Sequence, residues 1–104
     1  MDESLKAETH CHTTSSDGRH SPDQVVLEAR KKRLDFLAVT DHDTFRGSVL
    51  AQRAAKLRGL ERPVVVPGNE VRTTRGDVLV LCEKPLPETK KDPWELRDLA
   101  VENN

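Results

Sequence analysis

Apolar positions along this chain recur first at strand spacing, then at helical spacing, and the switch repeats from end to end. Leu5 to Thr13 reads as a first strand, short and interrupted by polar residues toward its C-terminal end. Val25, Val26 and Ala29 then fall on one helical stripe behind Ser21-Pro22-Asp23-Gln24. There Ser21 can cap, Pro22 suits the first helical position and Gln24 stands at the capping-box site. Lys31-Lys32-Arg33 complements the negative end of that helix dipole. Asp35 to Thr40 is a nearly continuous apolar run, too short for a typical helix, which predicts a strand buried on both faces. A second helix is expected over Thr44 to Leu57, with Phe45, Val49, Leu50, Ala54 and Leu57 as its stripe and Gly59 as its stop. Pro63 to Pro67 predicts a third buried strand with a proline at each end, and Asp77 to Cys82 a fourth after the polar turn Arg72 to Gly76. Glu83 to Lys91 reads as a connecting loop. Asp92-Pro93-Trp94-Glu95 repeats the capping arrangement and opens a helix carrying Leu96, Leu99 and Ala100, with Trp94 a core candidate.

Strands and helices in alternation mean βα units, an α/β fold and a mainly parallel sheet. Such folds place their chemistry at the C-terminal ends of the strands. The 104 residues allow one modest domain, and with 35% apolar but only 3% aromatic residues its core must be aliphatic. Seventeen basic residues against 18 acidic ones give a net charge of −1, which lacks the basic excess of a non-specific nucleic-acid or anionic-membrane binder. No apolar run approaches the ~18 residues of a membrane span, and the acidic start Met1 to Glu8 has no apolar core of a signal peptide. Cys11 and Cys82 form no CxxC pair and read as reduced thiols, so a cytoplasmic location is expected.

Where the strands end, the residue types change. Strand 1 ends in His10-Cys11-His12, strand 2 in Thr40-Asp41-His42-Asp43 and strand 3 in Pro67-Gly68-Asn69-Glu70. In an extended chain His10 and His12 present two imidazoles on one face while Cys11 points to the other. Paired imidazoles suit first-row divalent metals. Ser15-Ser16-Asp17-Gly18 reads as a turn that leaves the Asp17 carboxylate near the same mouth. Three of the four histidines lie at strand ends, and only His20 falls in a loop. A metal site is the expectation. Asp43 is placed to cap the helix from Thr44. Arg46, Arg72 and Arg75 follow strand ends and could contact a phosphate; solvated surface charge is the competing reading.

The segments Glu8 to Thr13, Ser16 to Gly18, Thr40 to Asp43 and Pro67 to Glu70 resemble, in order and spacing, the successive motifs of the PHP (polymerase and histidinol phosphatase) family of metal-dependent phosphoesterases. The match covers residues 5 to about 82. The resemblance implies the N-terminal half of a distorted (β/α)7 TIM-like barrel whose complete site holds up to three divalent ions, commonly Zn, Mn or Fe. It implies that His10 and His12 bind one ion, that Glu70 bridges to a second, and that Asp17 and His42 serve a third. Asp41 and Asp43 would stand behind His42, orienting it or capping the next helix. Family members often carry a histidine in the fourth strand, where this chain has Leu79, and they draw further ligands from later strands; no histidine follows His42 here.

The implied reaction is hydrolysis of a phosphate ester by metal-activated hydroxide. Its substrate would be a phosphorylated small molecule or nucleotide, with a nucleic-acid end also open. The ligands present cannot fill three coordination spheres, so the chain on its own is expected to hold about one ion and to be inactive. The alternative is a non-catalytic metal-binding or scaffold module, completed by a partner chain or by the missing C-terminal half. An open half-barrel also exposes a strand edge that invites self-association.

Overall fold

A computed structural model of the chain describes residues 4–87 and 92–104. The first three residues of the acidic start and the last four of the loop ending at Lys91 lie outside that range. The elements are β1 (Ala7–Cys11), α1 (Pro22–Lys31), β2 (Phe36–Val39), α2 (Arg46–Leu57), β3 (Val64–Thr73), β4 (Gly76–Leu81) and α3 (Pro93–Asn103). The strands form one curled sheet in the order β1-β2-β3-β4. It is parallel from β1 through β3, and β4 returns antiparallel to β3. The result is an α/β half-barrel of mostly parallel strands, with the helices on one face. No helix among the described residues is long and apolar enough to cross a membrane.

Side-chain alternation sorts the sheet into two faces. On the outer face Leu37, Val39 and Val65 pack with Val25, Val26 and Ala29 of α1 and Ala51 and Ala55 of α2. Further along, Val71 and Val80 pack with Phe45, Leu86 and Leu96 of α3. Among the described residues no helix covers the inner face, and Phe36, Val64, Leu79 and Leu81 are 37–48% exposed there. α1 starts as expected: the Ser21 side chain accepts from Gln24 N, and the Gln24 side chain accepts from Ser21 N.

Four expectations need correction. β3 does not stop at Pro67 but runs on to Thr73. Pro67 is tolerated because it sits where β3 changes partners: its pairing with β2 ends at Val39↔Pro67 and that with β4 begins at Gly68↔Leu81. The buried stripe of α2 is Gly47, Ser48, Ala51 and Ala55, whereas Leu57 is 80% exposed. Small residues face the sheet because the helix lies close against Asp41, as described below. The first strand is shorter than expected, ending at Cys11, and His12 already belongs to the following loop. Trp94 is exposed beneath the Arg97 guanidinium, because the helix that Asp92 caps turns Leu96 to the sheet instead.

One polar clasp ties together the N-terminal ends of the three parallel strands. The Asp35 carboxylate accepts from Lys6 N at 2.9 Å and from the Arg62 guanidinium. The Lys6 amide first, then Arg62, hold its pKa below the usual carboxylate value. A group depressed in the folded state stabilises above its unfolded pKa of about 3.9 and loses that contribution as pH falls through the folded value. Wild type should therefore be more stable than Asp35→Asn at neutral pH, with the difference fading only below about pH 4. Urea titrations of both proteins at a series of pH values read this directly; a difference independent of pH would show that the clasp is not ionic.

Candidate metal centre

The inner face of the sheet carries its chemistry at one end, the C-terminal end of the parallel strands. His10 lies at the end of β1, His12 just beyond it, and His42 just beyond β2 in a parallel bridge to Glu70 of β3. Glu70 N donates to Asp41 O at 2.9 Å and Asp43 N to Glu70 O at 3.0 Å, so the segment after β2 is held to β3 by backbone bonds on both sides of His42. Asp43 makes the necessary bend with a φ of 55°, a left-handed conformation that aspartate adopts more readily than most residues.

These placements bring the ligand atoms together. His10 Nε2 and His12 Nε2 lie 2.8 and 2.7 Å from the same oxygen, Glu70 Oε1. His12 Nδ1 lies 2.6 Å from Asp17 Oδ1, and His42 Nε2 lies 3.1 Å from Asp17 Oδ2. The three imidazoles follow one another with ring centroids 5.1 and 4.5 Å apart. Ligand atoms within 4.8 Å of one another occur in three groups: His10, His12 and Glu70; His12, Asp17 and His42; and His42, Glu70 and Asp77.

Electrostatics follow from this crowding. Burial by itself would lower the His12 pKa, but its hydrogen bonds to Asp17 and Glu70 outweigh burial and raise it. Glu70 shows the converse: burial pushes its pKa up, and the bonds with His10 and His12 bring it below the usual value. Asp17 is lowered chiefly by the hydrogen bond with His12. Nitrogen and carboxylate donors converging on one mouth fit a divalent metal ion. The Cys11 thiol is not part of the set. It packs on the α1 side of the sheet, and burial raises its pKa.

Asp41 and Asp43 do other work than orienting His42 or capping α2. Asp41 is fully buried on the outer face, where Oδ1 accepts from Thr13 N at 2.7 Å and Ser16 Oγ at 2.5 Å, and Oδ2 from Thr13 Oγ1 at 2.8 Å. Strand alternation explains this, since residue 41 points away from the face that residue 42 occupies. Asp41 thereby anchors the loop that carries Asp17. Gly18 closes that loop so tightly that an added Cβ would lie 2.3 Å from His12 O. The Asp43 side chain accepts from Arg72 N at 2.8 Å, and the first turn of α2 is instead held by Thr44 Oγ1, which accepts from Arg46 N at 3.0 Å.

Arg72 shares the inner face with Glu70, two residues along the same strand, while Arg46 opens α2 and Arg75 sits in the β3–β4 turn. No hydrogen bond or ion pair joins any of the three guanidinium groups to the cluster among the described residues. His20 is exposed in the loop before α1. Asp77 escaped the sequence reading. Leu79 pairs directly with Glu70, yet Asp77, the diagonal neighbour, reaches Glu70 and His42. The sign in the sequence was the tight turn ahead of Gly76, which makes β4 antiparallel and fixes which of its residues face inward.

No family model matches the chain. An uncharacterized protein of Methanocaldococcus jannaschii is 34% identical over 88 residues, covering 74% of this chain and 50% of that protein. A 5'-3' exoribonuclease of Haemophilus influenzae is 41% identical over 68 residues, covering 65% of this chain and 24% of the enzyme. Among solved structures, a protein of Bifidobacterium adolescentis named as a metal-dependent phosphoesterase superposes with a TM-score of 0.60 at 36% identity, over 74% of this chain and 26% of that one. The chain therefore spans from about a quarter to half the length of these relatives.

Proposed function

The chain belongs to the PHP (polymerase and histidinol phosphatase) family, and on that premise we propose that its cluster serves metal-dependent hydrolysis of a phosphate ester. One observation carries the proposal: ligand atoms from β1, β2, β3 and the 13–18 loop converge at the C-terminal end of the parallel strands. In this reading His10, His12 and Glu70 hold one divalent ion, and His42, with Asp17 beside it, contributes to a second. When bound, such ions supply Lewis-acid activation of water and neutralise charge on the phosphate.

The remaining roles belong to the chain itself. Asp17, with Oδ1 2.6 Å from His12 Nδ1, orients that ring so that Nε2 faces the centre. Glu70 keeps two imidazoles turned to one point before any ion arrives. Asp41 holds the loop that aims Asp17. Arg72, on the same face, is the arginine best placed to meet a phosphate oxygen. The relative that cleaves RNA makes a nucleic-acid end one candidate substrate, with a phosphorylated small molecule the other.

A second reading draws on the uncovered inner face, where Phe36, Val64, Leu79 and Leu81 lie exposed. Further barrel strands would cover it, and the chain would then be a metal-binding part of a larger catalytic unit. One assay separates the two. The purified chain, loaded with Mn²⁺ or Zn²⁺, is offered bis-p-nitrophenyl phosphate, p-nitrophenyl phosphate and a 5'-phosphorylated oligonucleotide. Turnover that EDTA abolishes and metal restores is the expected result for a hydrolase. Bound metal without turnover would transfer the function to the larger unit.

A further inference from the structure

We propose that Asp77 is a cation ligand and that, with His42 and Glu70, it forms an oxygen-rich second centre preferring Mn²⁺ over Zn²⁺. The proposal rests on the reading of this face as a divalent-metal site and adds to it the chemical character of one part.

Register places Asp77 there. Arg72 pairs with Asp77 and Glu70 with Leu79, so all four side chains stand on the inner face of the β3–β4 hairpin. Asp77 is diagonal to Glu70, a spacing that side chains bridge. One oxygen of its carboxylate, one of Glu70 and a His42 nitrogen all lie within 4.8 Å of one another. Arg72, directly across the hairpin, is the built-in competitor, yet no salt bridge joins it to Asp77 among the described residues. The Arg72 backbone N–H is engaged elsewhere, donating to Asp43.

Donor chemistry then separates the groups. His10, His12 and Glu70 offer two nitrogens and one carboxylate, the type of set that holds Zn²⁺ well. His42, Glu70 and Asp77 offer one nitrogen and two carboxylates, which favours the harder ion. Glu70 belongs to both groups, and Asp77 belongs only to the second.

Titration of the full chain with Mn²⁺, followed by the electron paramagnetic resonance of free Mn²⁺ and repeated after loading one equivalent of Zn²⁺, tests this. Wild type should take up Mn²⁺ beside the resident Zn²⁺. Asp77→Asn, which keeps the side-chain shape, should weaken Mn²⁺ binding about tenfold or more while Zn²⁺ uptake is unchanged. Asp77→His should retain a second ion but shift the preference toward Zn²⁺. Circular dichroism melts establish that each variant folds. Mn²⁺ binding by Asp77→Asn at wild-type affinity and stoichiometry overturns the assignment of Asp77 while leaving the metal centre standing. A wild-type chain that binds neither ion overturns both.

Discussion

Glu70→Gln should empty the site. Its Oε1 lies within 2.8 Å of both His10 Nε2 and His12 Nε2, and Glu70 is the residue common to their group and to the group formed with His42 and Asp77. Glutamine keeps the volume but removes the charge and half the acceptor capacity. Loss of groups that merely orient a ligand typically costs 10–100-fold in metal affinity, so a shared ligand should cost about 100-fold or more. Elemental analysis of protein purified without chelator provides the measure. His20→Ala, in the exposed loop, should retain the wild-type metal content and serves as the control. Equal metal in Glu70→Gln and wild type would sink the assignment of the centre. The two acidic ligands are told apart in the same way: Glu70→Gln removes both ions, whereas Asp77→Asn spares the zinc.

Gly47→Ala should be strongly destabilising although it adds only one methyl. Elsewhere in a helix, alanine for glycine gains about 1 kcal/mol from backbone entropy. At position 47 the new Cβ would lie 1.8 Å from Asp41 Oδ2 and 2.7 Å from Thr13 Oγ1. Asp41 cannot swing aside, because it is fully buried and holds Thr13 and Ser16. Overpacking costs about 1–3 kcal/mol, and disturbing the buried carboxylate adds about 1–3 more. The clash outweighs the propensity gain. Gly59→Ala offers the comparison: its φ of +66° strains an L-residue, but nothing lies within 4 Å, so only about 1–2 kcal/mol should be lost. Urea denaturation of the two variants ranks them, and a Gly47→Ala protein as stable as wild type would mean that α2 can lift off Asp41. The same displacement should loosen the Asp17 loop, so metal affinity should fall with stability.

Much of the molecule was legible in one dimension. Capping at Ser21 and Asp92, the buried stripe Val25-Val26-Ala29 and the apolar run before Thr40 depend on contacts within a few residues, and all stand where the pattern put them. His10, His12, Asp17, His42 and Glu70 could be singled out because βα units carry their chemistry at the same ends of their strands. What the pattern misread shares one cause. Whether Pro67 ends a strand, which residues of α2 face inward, and which side Asp41 takes all depend on partners distant in the chain. Apolar periodicity marks large side chains and therefore passed over Gly47, Ser48 and Ala51, whose value lies in their small size.

The sequence by itself determined the alternation of elements, the family, and the imidazoles and carboxylates at the strand ends, because local propensity and strand parity need no knowledge of distant partners. Tertiary structure alone decided that Glu70 is shared between two groups, that Asp77 rather than Leu79 joins one of them, and that Asp41 serves the loop rather than His42. Those facts follow from register and direction of pairing: shifting a strand by one residue turns every side chain to the other face, and only the assembled sheet fixes that choice.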